Sequence, residues 1–269
     1  MRATVGHWRQ GEKICLRRAG ATAAGLRAAI CAVMMWAVAC AAGAEFPKFQ
    51  QYQIDKIGNQ MGQTSLVDID KDGKLDWVVG CSRGQLWWFR YEAPDRWIRH
   101  QIGDRVGTDV GGVAFDVDGD GWIDQVSGNT WFRNPGQPAG KPWTRYENGA
   151  IAGSHDNVAA DVDGDGKADV VMMSDRAGLF WYKIPKDPTQ KWEGHQVGPG
   201  VHGGIAPRGV GDLDGDGDLD IVRSTGWFEN LDGKGLRWQW HDKIPGGQSG
   251  RFKDNTKSWI CELKKEGRQ

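Results

Sequence analysis

The sequence predicts an all-β chain, and three observations carry that prediction. Short runs of Val, Ile, Trp and Phe alternate with clusters of Gly and Asp, as expected of brief strands joined by turns. Glycine (40 residues) and tryptophan (15 residues) are both abundant, which favours tight turns and packed aromatic strands. No segment shows the 3.6-residue spacing of an amphipathic helix over a useful length. A formal charge of -1 lacks the basic excess of a nucleic-acid binder, and a hydrophobic content of 39% excludes a polytopic membrane protein.

The first 44 residues are predicted to be a secretory signal peptide. Six basic residues within 2–27 precede an apolar run over 28–42, and small residues suit cleavage after Ala44. The run of about 15 residues is shorter than the roughly 20 that a membrane span needs. An uncleaved anchor and a lipid attached at Cys40 are the alternatives. The chain is therefore expected to be secreted, periplasmic or at the cell surface, with no membrane span after cleavage.

Residues 45–269 are built on a repeated acidic loop. The motif DxDxDGxxD begins at Asp68, Asp116, Asp161 and Asp212, so its copies are 48, 45 and 51 residues apart. After each loop come an apolar run, an aromatic pair and a segment of the form aromatic-x-x-His/Tyr. Such a period indicates one structural unit copied several times. Only two of the five cysteines lie in this region, so the fold is not expected to depend on a disulfide framework.

Each unit is predicted to be one blade of a β-propeller. A strand enters the acidic loop, a second leaves it, the aromatic pair forms a third, and the aromatic-x-x-His/Tyr segment forms a fourth antiparallel strand. A further strand of the fourth type is predicted at Phe49–Ile54, ahead of the first loop. The repeats are placed at about 49–96, 97–142, 143–191 and 192–237, with a partial fifth over 238–269. The prediction is four intact blades plus a partial fifth, as if truncated from a longer array, in an incompletely closed ring.

The aromatic residues are expected to pack these blades rather than to stack on sugars. Eight of the thirteen tryptophans beyond residue 44 occupy the two repeated aromatic positions. His100, His195 and His241 recur at one position of the fourth strand and are assigned the same structural role.

The four loops, their spacing and the aromatic pairs, such as Trp88-Phe89, resemble the FG-GAP/VCBS repeat family over residues 49 to 263. Blades of that family form calcium-binding propellers such as the head of integrin α-subunits. The resemblance implies an exported module that binds a glycan or an extracellular protein, a role that includes cell adhesion. The same architecture also hosts some polysaccharide lyases, so an enzyme of that type is the alternative. An exposed blade edge would also allow self-association.

The loop aspartates are candidate calcium ligands at positions 1, 3, 5 and 9. Oxygen-only donors in a flexible loop suit Ca²⁺ better than Mg²⁺ or Zn²⁺, and carboxylates this close repel one another without a cation. An EF-hand would need flanking helices and a glutamate at position 12, which these loops lack. About four structural ions are expected. The sixteen candidates are Asp68, Asp70, Asp72, Asp76, Asp116, Asp118, Asp120, Asp124, Asp161, Asp163, Asp165, Asp169, Asp212, Asp214, Asp216 and Asp220.

Candidate ligand-binding residues are those that break the repeat. If the first strand is innermost, as in the family, the linkers before it and the turns after the second strand meet on the face opposite the acidic loops, where functional residues are common. The ligand-binding candidates are His155, Asp156, Arg176, His202 and Arg208. Other residues there that break the repeat are Arg83, Asp109, Asn157 and Asp175. In the lyase alternative, His155, Asp156, His202 and Arg208 would supply acid/base and carboxylate-neutralising groups for a uronic acid polymer.

Overall fold

The computed structural model describes residues 48–57, 62–81, 84–108, 110–223, 226–242 and 258–261. These residues form short strands joined by turns and loops, and they contain no helix. The first sheet contains β1 (Gln63–Val67), β2 (Asp76–Gly80), β3 (Leu86–Ala93) and β4 (Arg96–Gly103). The second contains β5 (Gly112–Phe115), β6 (Asp124–Ser127), β7 (Thr130–Arg133) and β8 (Thr144–Glu147). The third contains β9 (Asp156–Ala160), β10 (Asp169–Ser174), β11 (Gly178–Lys183) and β12 (Glu193–Gly198).

The fourth sheet has the same plan with a divided first strand. It contains β14 (Val210–Gly211), β15 (Asp220–Arg223), β16 (Gly226–Asn230) and β17 (Trp238–His241). Just before β14, β13 (Pro207–Arg208) pairs with β18 (Ser258–Trp259). In all four sheets each strand pairs antiparallel with the next along the chain. The predicted all-β fold of four-stranded antiparallel units is therefore confirmed.

The strands have the burial that their place in a stack of sheets requires. The second strand of each sheet lies between two paired neighbours, and every residue of β10, which reads DVVMMS, is buried. The fourth strand is an edge, and the residues of β8 and β17 are exposed or half-buried. Apolar β-branched residues therefore concentrate in the second strands, and polar residues concentrate at the edges.

Three hydrophobic cores lie between successive sheets. Trp88 and Leu86 of the first sheet pack with Phe132 of the second, and Trp131 of the second packs with Met172 of the third. Trp181 and its neighbours pack in the same way against Ile221 and Phe228 of the fourth sheet. Each core thus joins two repeats, so that one repeat alone would leave an apolar face exposed.

Within each sheet, the first residue of the aromatic pair stacks on the ring of the fourth strand. The centroid distances are 4.6 Å for Trp88 and His100, 4.8 Å for Trp131 and Tyr146, 4.5 Å for Trp181 and His195, and 4.5 Å for Trp227 and His241. All four tryptophans are buried. The expected packing role of the repeated tryptophans and histidines is confirmed at these positions.

The first strands of neighbouring sheets contact one another, β1 with β5, β5 with β9, and β9 with β13. They form the inner row around which the sheets are arranged. β18 pairs with β13 in parallel, with Arg208 opposite Trp259 and Pro207 opposite Ser258. It therefore extends the inner row by one strand, at the place of the first strand of the partial fifth unit. In the described part of the chain the sheets are not closed into a ring.

Two expectations at the ends of the chain have different outcomes. The strand predicted at Phe49–Ile54 is wrong, because residues 48–57 contain no strand. In the fourth sheet β16 already has β15 and β17 on its two sides, so no third-strand edge is left there for a segment from the N-terminal side to pair with. The predicted leader, residues 1–44 with Cys40, lies outside the described residues. Among the described residues, no helix is long and apolar enough to cross a bilayer.

Candidate metal loops and ligand pocket

The four acidic loops fold through hydrogen bonds between their own carboxylates and backbone. The position-1 carboxylate accepts the N–H of the position-6 glycine in each loop, at 2.9 Å for Asp68 and Gly73 and at 2.7 Å for Asp116 and Gly121. The position-3 carboxylate accepts the position-5 N–H at 3.2 Å in all four loops. Gly73 has a φ of 84°, in the left-handed region that favours glycine. The motif thus specifies the curl of the loop as well as its charge.

The position-9 aspartates connect each loop to its sheet. Asp124 is fully buried, and its two carboxylate oxygens accept the N–H groups of Val117 at 3.2 Å and Asn134 at 2.7 Å. Asp220 does the same with Leu213 and Asn230. One carboxylate therefore joins the second residue of its loop to the end of the third strand.

These connections extend to the neighbouring sheet. The side-chain amide of Asn134 donates to the carbonyl of Ile69 in the first loop, and that of Asn230 donates to the carbonyl of Val162 in the third. Lys71 of the first loop lies 4.0 Å from the ring centroid of Trp122 in the second. The loops consequently help to hold successive sheets together, as well as the strands of each sheet.

Burial and mutual repulsion make the position-9 carboxylates hard to ionise. Burial raises the pKa of Asp124 and of Asp169 to about 7, and that of Asp76 and of Asp220 to about 6. Backbone hydrogen bonds oppose this shift in every loop, whereas nearby loop carboxylates add to it. A bound cation would favour the ionised form, because an opposite charge nearby lowers the pKa of a carboxyl group.

Three carboxylates in each loop come close enough to share a metal ion. Oxygens from positions 1, 3 and 9 lie within 4.8 Å of one another, as in the group formed by Asp212, Asp214 and Asp220. The position-5 aspartates are not in these groups; the carboxylate of Asp72 accepts the N–H of Lys74 at 3.0 Å. In the fourth loop, Oδ1 of Asp218 is shielded from solvent and has no hydrogen-bond partner among the described residues. Clustered oxygen donors and an unpartnered carboxylate oxygen fit a hard divalent cation.

A basic side chain from the third strand reaches three of the loops. Arg90 Nε lies 2.8 Å from Asp70, Arg133 Nε lies 2.5 Å from Asp118, and Lys183 contacts the corresponding Asp163. The same cations approach position 5, for example Arg133 Nη2 at 3.1 Å from Asp120. These ion pairs were not predicted from sequence, although the three basic residues directly follow the aromatic pair in each repeat.

At the opposite end of the strands lies a cavity of about 460 Å³. It is formed by the linkers before β5 and β9, the turn after β10 and the segment before β13, with Val110, residues 152–155, 174–177 and His202. Four of the five ligand-binding candidates, His155, Asp156, Arg176 and His202, lie in or beside this cavity. The fifth, Arg208, lies on β13 and does not line it. Of the other residues that break the repeat, Arg83 and Asp109 lie outside the described residues.

Each histidine of this pocket is oriented by a carboxylate. His155 Nδ1 lies 3.0 Å from Oδ1 of Asp156, and His202 Nδ1 lies 2.6 Å from Oδ2 of Asp175. The two rings meet edge to face with centroids 4.1 Å apart. When Nδ1 donates to the carboxylate, Nε2 is left as an acceptor, so each ring presents a basic nitrogen.

Asp156 has a second task. Its other oxygen, Oδ2, accepts the N–H groups of Ile205 and Ala206, both at 3.0 Å. The carboxylate thereby holds the segment that carries His202 against β9. Asp156 therefore positions His155 from the buried side of the pocket, whereas Asp175 and His202 are half-exposed at its mouth.

Sequence reasoning missed Ser154, which also lines the cavity. Its hydroxyl is buried and has no hydrogen-bond partner among the described residues. The hydroxyl oxygen is shielded from solvent and lies beside Gly111, where an added Cβ would be 2.6 Å from it, so Ser154 contributes to the wall of the cavity rather than an accessible donor. A small residue next to a candidate histidine gives no signal by which this role could be recognised from sequence.

Fold and loops together define a repeat protein of propeller type with one acidic loop in each sheet. Three overlapping stretches, residues 68–127, 116–172 and 161–223, match the FG-GAP-like repeat. They span more than half of the chain, which therefore belongs to the FG-GAP-like repeat family.

The other comparisons are more distant. No curated protein matches the sequence. A solved structure concerned with specific recognition of non-reducing terminal N-acetylglucosamine by an Agrocybe aegerita lectin is similar, with 22% identity and a TM-score of 0.46. The match covers 71% of this chain and 55% of the solved one, so the chain spans only about half the length of that protein.

Proposed function

We propose that this chain is an exported, calcium-binding FG-GAP repeat protein that binds a glycan or an extracellular protein through the pocket around His155 and His202. Membership of the repeat family and the acidic clusters support the calcium part of the proposal. The composition of residues 1–44 supports export. The observation that carries the binding function is the convergence of residues that break the repeat into one cavity.

Calcium would be held by the aspartates of each loop at positions 1, 3 and 9. A bound ion supplies positive charge that offsets the repulsion between these carboxylates and stabilises the folded chain. The loops lie at one end of the strands and the pocket at the other, about five residues or roughly 17 Å apart along β9. Calcium is therefore assigned a structural role rather than contact with the ligand.

The pocket has the composition of a small polar binding site. Its volume lies within the roughly 300–1,000 Å³ of typical ligand sites. Arg176 offers a cation and Asp175 an anion, and both residues are exposed at the cavity. Two imidazole rings add flat surface against which a sugar ring can pack. A saccharide, which presents both hydroxyl groups and an apolar face, matches this mixture of surfaces.

A glycan array tests this function directly. The full chain, probed in 1 mM calcium, should retain a defined set of glycans, and Arg176→Ala should lose them without a change in melting temperature. Lys186→Ala, a change at an exposed basic residue outside the pocket, is the matched control and should bind as wild type. Absence of retention by any glycan, together with retention of extracellular proteins that Arg176→Ala abolishes, would assign the pocket to a protein ligand instead.

A polysaccharide lyase is the second candidate, and the two carboxylate-oriented histidines favour it. One Nε2 would accept the proton next to a uronate carboxylate that Arg176 neutralises. As the double bond forms, the glycosidic C–O bond would break, and the leaving oxygen would take a proton from the other imidazole or from water. A lyase would release an unsaturated product that absorbs in the ultraviolet, and His155→Ala or His202→Ala would abolish that absorbance. A flat absorbance with pectic and other uronic substrates rejects the enzyme and leaves the binding function.

Export is tested on its own. Expression of the full chain in a secreting host should give extracytoplasmic protein whose N-terminal sequence begins at Glu45. Retention of residues 1–44 in a membrane fraction would indicate an uncleaved anchor, and a lipid on Cys40 would indicate a lipoprotein. An open edge strand would also allow self-association, which sedimentation of the same material would detect.

A further inference from the structure

The fourth acidic loop differs from the other three at two positions outside the three-carboxylate group. Position 7 is Lys in the first and third loops and Trp122 in the second, but Asp218 in the fourth. The residue after the aromatic pair on the third strand is Arg90, Arg133 or Lys183 in the first three repeats, but Glu229 in the fourth. Both changes replace a basic or neutral group by an acidic one.

In the first three loops the basic residue lies directly on the carboxylates that a metal ion would use. Arg90 lies 2.8 Å from Asp70, and Arg133 lies 2.5 Å from Asp118. Lys183 contacts Asp163 and Asp165 at once, the second at 2.8 Å. A fixed positive charge at this distance lowers the negative potential at the loop and competes for the same oxygens.

The fourth loop has no such competitor in the part of the chain that the structure describes. Among the described residues, no lysine or arginine lies within 4.0 Å of a carboxylate of this loop. Glu229 lies close enough to Asp214 for their charges to interact, and it is held by His241 Nε2 at 2.5 Å. Asp218 adds a carboxylate whose Oδ1 is shielded from solvent and has no hydrogen-bond partner among the described residues.

A count of charges gives the expected order of the loops. With position 7 and the third-strand residue included, the fourth loop has six acidic groups and no basic one. The second has four acidic groups and one basic group, and the third has four acidic and two basic groups. The first has four acidic and three basic groups, because Lys71 also lies in the loop. The affinity of oxygen-ligand calcium sites rises with the charge of the donors, other things being equal.

We infer that the fourth loop is the strongest calcium site of the chain, and that Arg90, Arg133 and Lys183 act as built-in cations that weaken calcium binding in the other three loops. The inference rests on the proposed calcium binding. It adds Asp218 and Glu229 to the residues that determine affinity, and it predicts unequal sites in a chain whose four motifs look alike.

Calorimetric titration of the metal-stripped full chain with calcium chloride tests the inference. The wild-type isotherm should show one tight site and weaker sites. Glu229→Lys, which installs the basic residue of the third repeat, should weaken the tight site about tenfold or more, since it changes the charge beside a divalent ion by two units. Asp218→Lys, which reproduces position 7 of the first and third loops, should act in the same direction.

The reciprocal change is made in the third repeat. Lys183→Glu should strengthen one of the weaker sites, because the third loop would then have five acidic groups and one basic group. Arg105→Glu is the matched control, with the same change of net charge at an exposed residue beyond the end of β4, away from the acidic loops. It should leave the isotherm unchanged. Glu229→Lys also removes the pair with His241, so far-ultraviolet circular dichroism is used to check that this variant folds. If Glu229→Lys is unfolded, the result for Asp218→Lys decides the test.

The outcomes separate this inference from the proposed function. Four equivalent sites in the wild type, or an unchanged tight site in Asp218→Lys, would overturn the ranking and leave calcium binding intact. Absence of calcium binding in the wild type and in Lys183→Glu would overturn the proposed calcium binding and the ranking with it. One tight site that both loop-four variants weaken, together with a weaker site that Lys183→Glu strengthens, would establish the ranking.

Discussion

The two ends of the sheets are built from different kinds of sequence. At one end, four loops repeat the same aspartates, the same glycine and nearly the same hydrogen bonds. At the other end, the linkers and turns share no motif, and four of them meet in a cavity whose lining includes His155, Arg176 and His202. Repetition marks what every sheet needs in order to fold and to join its neighbour. Departure from the repeat marks what a single site needs.

The largest expected effect on stability comes from replacing a position-9 aspartate of an acidic loop. Asp124→Ala should lower the free energy of unfolding by roughly 2 to 5 kcal/mol, because the N–H groups of Val117 and Asn134 would be left buried without an acceptor. Urea unfolding in the presence of a chelator measures this apart from any metal. Asp120→Ala, in the same loop but at its exposed position 5, should cost less than about 1 kcal/mol. Equal losses in the two variants would mean that the loop acts only through its charge.

A smaller loss is expected from Gly111→Ala, near the pocket. A methyl group there would lie 2.7 Å from the carbonyl oxygen of Ser154 and 2.6 Å from its hydroxyl. The cost of such overpacking is about 1–3 kcal/mol, measured by the same urea unfolding. Gly140→Ala is the control, since its nearest neighbour would lie at 3.9 Å. If both variants were as stable as wild type, the contact between the second and third sheets at this end would be looser than the geometry indicates.

Removal of calcium should destabilise only the end of the sheets that carries the acidic loops. With the submillimolar to millimolar affinity usual outside cells, a site in 1 mM calcium stabilises the fold by about 0.4 to 1.4 kcal/mol. For a domain of this size the melting temperature should fall by about 2–4 °C per kcal/mol when a chelator replaces calcium. Magnesium chloride at the same concentration is the control for ionic strength and should not restore the melting temperature. One melting temperature under all three conditions would reject a structural role for calcium.

The features that could be predicted from sequence belong mainly to the repeated loops and strands, and much less to the pocket at the other end of the sheets. The loops, the strand order and the packing role of the repeated tryptophans and histidines were predictable, because four copies repeat the same pattern and chance matches do not recur. The strand at Phe49–Ile54 was predicted wrongly, since its local pattern fits a fourth strand but every third strand in the described sheets already has a neighbour on both sides. Pattern alone cannot tell whether a partner strand is free.

Contacts between distant segments were out of reach for a physical reason. His155 and His202 lie 47 residues apart, and their ring contact depends on how the third and fourth sheets pack. The ion pair between Lys183 and Asp163 depends on the twist that brings the third strand over the loop. A single sequence records which residues break or follow the repeat. It does not record the angles and offsets between sheets that decide which of them touch.

The smallest effect on stability is expected at the mouth of the pocket. His202 and its partner Asp175 are both half-exposed, so His202→Ala should change the free energy of unfolding by less than about 0.5 kcal/mol. The same variant should lose any ligand that the pocket binds, because one of its two imidazole rings is gone. Urea unfolding and glycan retention, measured on one preparation, give both quantities. A loss of stability above about 1 kcal/mol would show that His202 joins the third and fourth sheets. The difference between the two ends would then be one of degree, since residues that break the repeat would also hold the fold together.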